Sequence, residues 1–153
     1  MGTDDPVRQF EHTHGVLNKL ALEVTDLLRD EGPRTPKAWK ELGTRLGALR
    51  DELLRHFADE EEALFPFVRA SVPAKTGAVD RLEAAHDAIC GCIVRMVHVA
   101  DGGHPLASLL ALYERFESVY TKHSNEEGEL FDELGRLLDQ AQRKELASRL
   151  YGL

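Results

Sequence analysis

The sequence predicts an all-α fold: an antiparallel up-down-up-down four-helix bundle with a short C-terminal helix. Three observations predict it. Apolar residues recur at alternating steps of three and four along four long stretches. β-Branched residues are sparse and never alternate with polar ones over a useful length, so no strand is expected. The stretches are joined by short connections marked by Pro and Gly, and helices so joined pack most simply as antiparallel neighbours. The 153 residues are expected to form a single domain over 1–153, long enough to bury a real core.

The first helix opens at Asp5-Pro6, an N-cap followed by a first-turn proline. Its seam reads Val7, Phe10, His14, Leu17, Ala21, Val24 and Leu28, and Gly32-Pro33 ends it. Thr35-Pro36 opens the second helix, with a seam of Trp39, Leu42, Leu46, Leu49, Leu53, His56, Glu60 and Leu64, read as continuous to Val68. A break follows from Ser71 to Gly77, around Pro73. The third seam is Val79, Leu82, His86, Ile89, Ile93, Met96 or Val97, and Ala100, closed by a turn at Asp101-Gly102-Gly103-His104-Pro105. The fourth is Leu109, Leu112, Phe116, Val119 or Tyr120, His123, Glu127, Leu130, Leu134 and Leu137. Gln140 to Leu150 forms the short terminal helix, using Leu146 and Leu150. The second and fourth helices each span about 33 residues, or ~50 Å.

Charge narrows the partners. Lys and Arg total 19 against 27 Asp and Glu, a net charge of -8, which disfavours nucleic-acid backbones and anionic membranes. No apolar run approaches the ~20 residues of a membrane span. Met1 to Pro6 is acidic and polar, unlike a secretory signal, so a cytoplasmic location is expected. Cys90 and Cys92 are too close on one helix to form a disulfide framework.

The histidines are the anomaly. Each of the four seams carries one, and the second and fourth add a Glu one turn later. A buried carboxylate without a partner costs several kcal/mol, and a buried imidazole also needs partners. At 1.5 Å per residue, counted along alternately rising and descending helices, His14, His56, Glu60, His86, His123 and Glu127 fall in one layer. Four imidazoles and two carboxylates converging inside a bundle point to a metal site. His56-x3-Glu60 and His123-x3-Glu127 each place both side chains on one helical face. Imidazole with carboxylate suits iron among other borderline metals, and two carboxylates able to bridge suggest two ions. The remaining polar residues read more plainly. Asp59, Glu61 and Glu62 form a solvated charge run; His12, His98 and His104 fall off the seams; Trp39 belongs to the core; Tyr120 either supports the layer or simply packs. Cys90, one turn beyond His86, is expected to point toward the layer as a small buried hydrophobe, with Cys92 facing elsewhere.

The set His14, then His56-Phe57-Ala58-Asp59-Glu60 leading into Ala63-Leu64-Phe65-Pro66, then His86, then His123-Ser124-Asn125-Glu126-Glu127 resembles the hemerythrin-like, HHE cation-binding family, and the likeness covers nearly the whole chain. The resemblance implies a non-haem centre of two iron ions, with Glu60 and Glu127 as bridges and His14, His56, His86 and His123 as terminal ligands. Two departures set the chain apart from oxygen-carrying hemerythrins. Those proteins supply a fifth histidine in a His-x3-His pair on the third helix, where Cys90 stands here, and end with His-x4-Asp, where Gly128 stands here. Counting bonds for two six-coordinate ions with an oxo or hydroxo bridge leaves positions open for water, for Glu61 or Glu126, or for a small ligand. Oxygen, nitric oxide or peroxide is the expected partner; the sequence names no protein partner.

A rival set exists. Glu11-x2-His14 and Glu83-x2-His86 have the spacing of ferritin-like di-iron proteins, but that set leaves His56 and His123 unexplained and needs a long crossover. Three functions stay open: a di-iron protein that binds or senses a small ligand or iron itself, a di-iron oxidoreductase or iron-sulfur repair protein, and a metal-free helical interaction module.

Overall fold

The computed structural model describes residues 5–29, 33, 35–102 and 105–151. Helix α1 spans Pro6–Leu28; Asp5 caps it by accepting the Val7 N–H at 3.0 Å, with Pro6 in the first turn. Helix α2 spans Pro36–Asp59, and Thr35 accepts the Ala38 N–H at 3.1 Å. Both caps satisfy donors that a helix start leaves free.

The second long helix is not continuous. A π-helical turn at Glu60–Leu64 follows α2, and only then does α3 run over Phe65–Ser71. The Phe65 N–H reaches five residues back to the Glu60 carbonyl. Pro66 supplies the physical reason: it has no N–H, and its ring crowds the carbonyl four residues earlier, so a regular turn cannot pass through it. A 3₁₀ turn at Pro73–Lys75 leads into α4, Thr76–Gly102, and α5 covers Leu106–Leu137. Helix α6, Gln140–Tyr151, closes the chain.

Two further expectations need correction. Asp101 and Gly102 are helical rather than part of a turn, and residues 103 and 104 of that turn, like Gly32, lie outside the described residues. Leu137 is 54 % exposed, whereas Leu138 is buried. The helix ends at Leu137, and the extended backbone of Leu138 swings its side chain back to the core.

The long helices pack in a ring, with contacts between α1 and α2, α2 and α4, α4 and α5, and α5 and α1. Their contacts run in opposite directions along the chain. Between α1 and α5, His14 meets Ser124, Asn18 meets Tyr120, and Thr25 meets Tyr113. Between α1 and α2, Phe10 meets His56 and Glu23 pairs with Arg45. Phe57 lies against His86 and Arg69 pairs with Asp80, so α4 runs opposite to α2 and its α3 continuation. His86 meets His123, while Lys75, just before α4, pairs with Glu133 on α5. The neighbours are antiparallel.

The core forms two apolar clusters. One holds Leu17, Val24, Leu46, Leu53, Ile93 and Phe116 among others; the second holds Val7, Phe10, Leu64, Phe65, Leu82 and Phe131. Each fully buried Leu or Phe contributes ~1.5–3 kcal/mol through burial. Helix α6 adds Leu146 to the second cluster, and Arg143 binds both carboxylate oxygens of Asp5 at 2.9 and 2.8 Å, tying α6 to the start of α1. No helix among the described residues is long and apolar enough to cross a membrane.

Candidate metal centre

Between the two apolar clusters lies a polar layer. His56, Glu60, His86, His123 and Glu127 are each no more than 3 % exposed. The seams put them there: His56 and Glu60 descend on the second long helix, His123 and Glu127 occupy one face of α5, and His86 enters from α4. Glu127 is gripped by two imidazoles, His56 bonding its Oε1 and His123 Nε2 lying 2.8 Å from Oε2. His86 Nε2 lies 3.2 Å from Glu60 Oε1, and His56 Nε2 lies 3.6 Å from the same oxygen.

Proximity here does not mean hydrogen bonding. Both oxygens of Glu60, Nε2 of His86, both nitrogens of His123 and Oε2 of Glu127 are buried with no hydrogen-bond partner. A protein rarely leaves one such atom orphaned, because each costs about 1–3 kcal/mol. His123 Nε2 and Glu127 Oε2 are close without the alignment of a hydrogen bond. Donors that share one cation at ~2.1 Å sit about 3 Å apart when their bonds are at right angles, close to the 2.8 Å of His123 to Glu127 and the 3.2 Å of His86 to Glu60. Two groups of three donor residues, Glu60 with His86 and His123, and Glu60 with His56 and Glu127, each bring one ligand atom per residue within 4.8 Å of one another. They share Glu60. The donor set fits a borderline cation such as iron, which takes imidazole and carboxylate together.

Charge is divided unevenly across the layer. Burial pushes the Glu60 carboxyl well above the usual carboxylate range, and the neighbouring Glu127 pushes it further. Burial acts on Glu127 in the same direction, yet His56 and His123 outweigh it and hold that carboxyl below its ordinary value. Burial also lowers the His86 imidazole, opposed by its hydrogen bond to Glu61. Aromatic rings wall the layer. Phe57 stacks on His86 with ring centres 3.7 Å apart and planes 11° apart; Phe65 stacks on it at 5.6 Å, and Phe57 meets His123 edge-on at 5.4 Å.

His14 stands at the rim. It is half-buried, belongs to neither donor group, and its Nε2 lies 2.8 Å from Ser124 Oγ. Ser124 in turn donates to Asn18 Oδ1 at 3.0 Å, and Tyr120 donates to the same oxygen at 2.8 Å. A cavity of about 380 Å³ between α1 and α5 has Asn18, Tyr120 and Ser124 in its wall. Burial lowers the His14 imidazole, with Glu127 acting against it and His56 and His123 adding to it.

The hemerythrin HHE cation-binding domain family matches residues 5–149. The chain belongs to that family. No curated protein and no solved structure matches it significantly. Within this HHE domain, the ferritin-like alternative loses its extra carboxylates: Glu11 is exposed and Glu83 is paired with Arg69. Cys90 joins neither donor group; half-buried, it packs against the first apolar cluster, and burial raises its thiol with help from Glu61 and Asp87. Cys92, expected to face away, is the buried cysteine, because it shares the stripe of Ile89 and Met96 on α4. His12 and His98 are exposed, and His104 lies outside the described residues.

Sequence reasoning missed one part of this HHE domain, Phe57, and left another, Glu61, between two readings. Phe57 follows His56 and reads as one more apolar residue, yet it is the ring on which His86 stacks. Glu61 reads both as one of a solvated run and as a carboxylate for an open coordination position; Asp59 and Glu62 do lie in solvent, but Glu61 Oε1 is 2.8 Å from His86 Nδ1 and belongs to neither donor group. The only forewarning was Pro66, whose ring implies a disturbed turn beginning near Glu60.

Proposed function

We propose that the layer holds two iron ions bridged by Glu60 and Glu127, with His14, His56, His86 and His123 as terminal ligands, and that the loaded protein binds or senses a small ligand such as oxygen, nitric oxide or peroxide, or iron itself. The observation that carries this reading is the pair of donor groups sharing Glu60, with six buried donor atoms that have no other partner. A metal-free interaction module would retain those atoms at a cost that nothing else in the layer offsets.

Bound iron would supply a redox-active Lewis acid with coordination positions open to an outside ligand. The chain's own residues do the rest. Phe57 and Phe65 exclude water from His86, while Glu127 orients His56 and His123 toward the interior. Ser124 and Asn18 hold His14 at the rim, and both of them also line the cavity between α1 and α5.

Aerobic purification followed by an iron-to-protein ratio and a near-ultraviolet spectrum tests this reading. The expected result is close to two irons per chain, reduced in His14→Ala and retained in the exposed His12→Ala. A protein that retains no metal after reconstitution with ferrous iron would overturn it.

A further inference from the structure

We propose that Glu61 is a positioning residue for the metal centre, which accepts the Nδ1 proton of His86 and thereby fixes the tautomer that presents a bare Nε2 to Glu60 and His123. The inference rests on the layer being a metal centre, and adds a residue that belongs to neither donor group.

The His86 imidazole has a carboxylate near each of its nitrogens. Glu61 Oε1 lies 2.8 Å from His86 Nδ1, and Glu60 Oε1 lies 3.2 Å from His86 Nε2. An ionised carboxylate only accepts hydrogen bonds, so the nitrogen facing Glu61 carries the proton and the opposite nitrogen carries a lone pair. That lone pair is one of the orphaned buried atoms, aimed at a carboxylate oxygen that is also orphaned. Neither atom has a hydrogen-bond partner, and a cation bound between them would satisfy both.

Consecutive residues can grip one ring because of where they sit. In a regular α-helix neighbouring side chains diverge by about 100°. Glu60 and Glu61 open the π turn, whose wider coil brings them closer to one side. The stacked rings of Phe57 and Phe65 fix the plane of the imidazole but not which of its nitrogens bears hydrogen. Glu61 makes that choice. Its carboxylate is 45 % exposed, so it can act without the cost of burying another charge among the ligands. Removing such outer carboxylate partners of a ligating histidine costs 10–100-fold in metal affinity.

The test uses zinc as a diamagnetic probe, titrated into chelator-stripped wild type, Glu61→Ala and Glu61→Gln, with ¹⁵N-histidine NMR of each loaded form. Wild type is expected to show an exchange-protected Nδ1–H on His86. Glu61→Ala should lose that signal and bind zinc 10–100-fold more weakly, with the stripped protein melting as wild type does. Glu61→Gln, whose amide oxygen still accepts, should recover most of the affinity. Zinc binding by Glu61→Ala within twofold of wild type, an unchanged His86 signal, or a Glu61→Gln as weak as Glu61→Ala would each overturn the assignment. Uptake of neither zinc nor ferrous iron by wild type would instead remove the metal centre itself, and the two failures are thus told apart.

Discussion

His56-x3-Glu60 and His123-x3-Glu127 are the same motif twice, and the protein uses them differently. The second lies on the unbroken helix α5, where Glu127 is held by the imidazoles of both motifs. The first runs into the π turn, and both oxygens of Glu60 face the layer without a hydrogen bond. The electrostatic outcome is opposite. Burial and its partner carboxylate drive Glu60 toward the protonated form, whereas the two histidines keep Glu127 ionised against its burial. Two carboxylates in one buried site cannot both keep their charge cheaply, and the one already paired with imidazoles keeps it. A repeated motif is therefore no guarantee of a repeated environment.

The sharpest way to break this comparison is to neutralise each carboxylate in turn, in chelator-stripped protein. Glu127→Gln removes the charge that His56 and His123 share and should cost ~3 kcal/mol in urea denaturation. Glu60→Gln replaces a carboxyl that burial and Glu127 already drive toward its neutral form, and should leave stability unchanged or improve it by up to ~1 kcal/mol. Both variants should lose most of their iron. Equal destabilisation by the two would erase the distinction.

A smaller effect should appear with pH. Glu60 keeps in the folded chain a proton that the unfolded chain releases above about 4.5, so its contribution to stability falls as pH rises from there. Glu127 works the other way: its contribution is complete above the ordinary carboxylate value and disappears as pH falls through its lower folded value. Denaturation midpoints of the stripped protein should thus decline less on the alkaline side in Glu60→Gln and less on the acid side in Glu127→Gln. Iron uptake should release the proton of Glu60 and weaken as pH is lowered, measurable by titration in a dilute buffer.

The smallest effect concerns the π turn. Pro66 forbids a regular turn, but the fully buried Phe65, Phe67 and Val68 independently hold the shifted phase. Pro66→Ala should therefore change stability by less than about 1 kcal/mol and keep the iron. A large loss of iron in that variant would show that the proline, rather than the packing beyond it, maintains the position of Glu60.

What could be read from the sequence follows the physics of each feature. The seams, the Asp5 and Thr35 caps and the common level of the buried imidazoles and carboxylates were legible because period and rise per residue are nearly independent of context. The π turn was not, because apolar period alone cannot register one residue inserted in a coil whose flanking residues stay buried; Pro66 was the sole mark. The contact of Glu61 was only partly legible: the residue reads as a candidate for an open coordination position, but its spacing carries no sign that it meets the outer nitrogen of His86. His14 reads into the layer with the other histidines but stands at its rim, because a seam residue there can face the layer or a neighbour such as Ser124, and only packing decides. Leu137 and Leu138 differ by one residue at a helix end, where boundaries carry the least information.

The polar layer also divides the protein's resistance to opening. Each long helix runs through both apolar clusters, yet the clusters themselves do not merge. Between them, cohesion depends on groups that attract one another poorly unless something binds them all. In the stripped protein, the two halves are thus placed to exchange their amide hydrogens as separate cooperative units. Ligation at the middle would join these units, so that opening either half requires breaking the bonds to the shared centre. Metal content would then be legible in slow hydrogen exchange at positions as far away as Leu42 and Leu146, neither of which belongs to the layer.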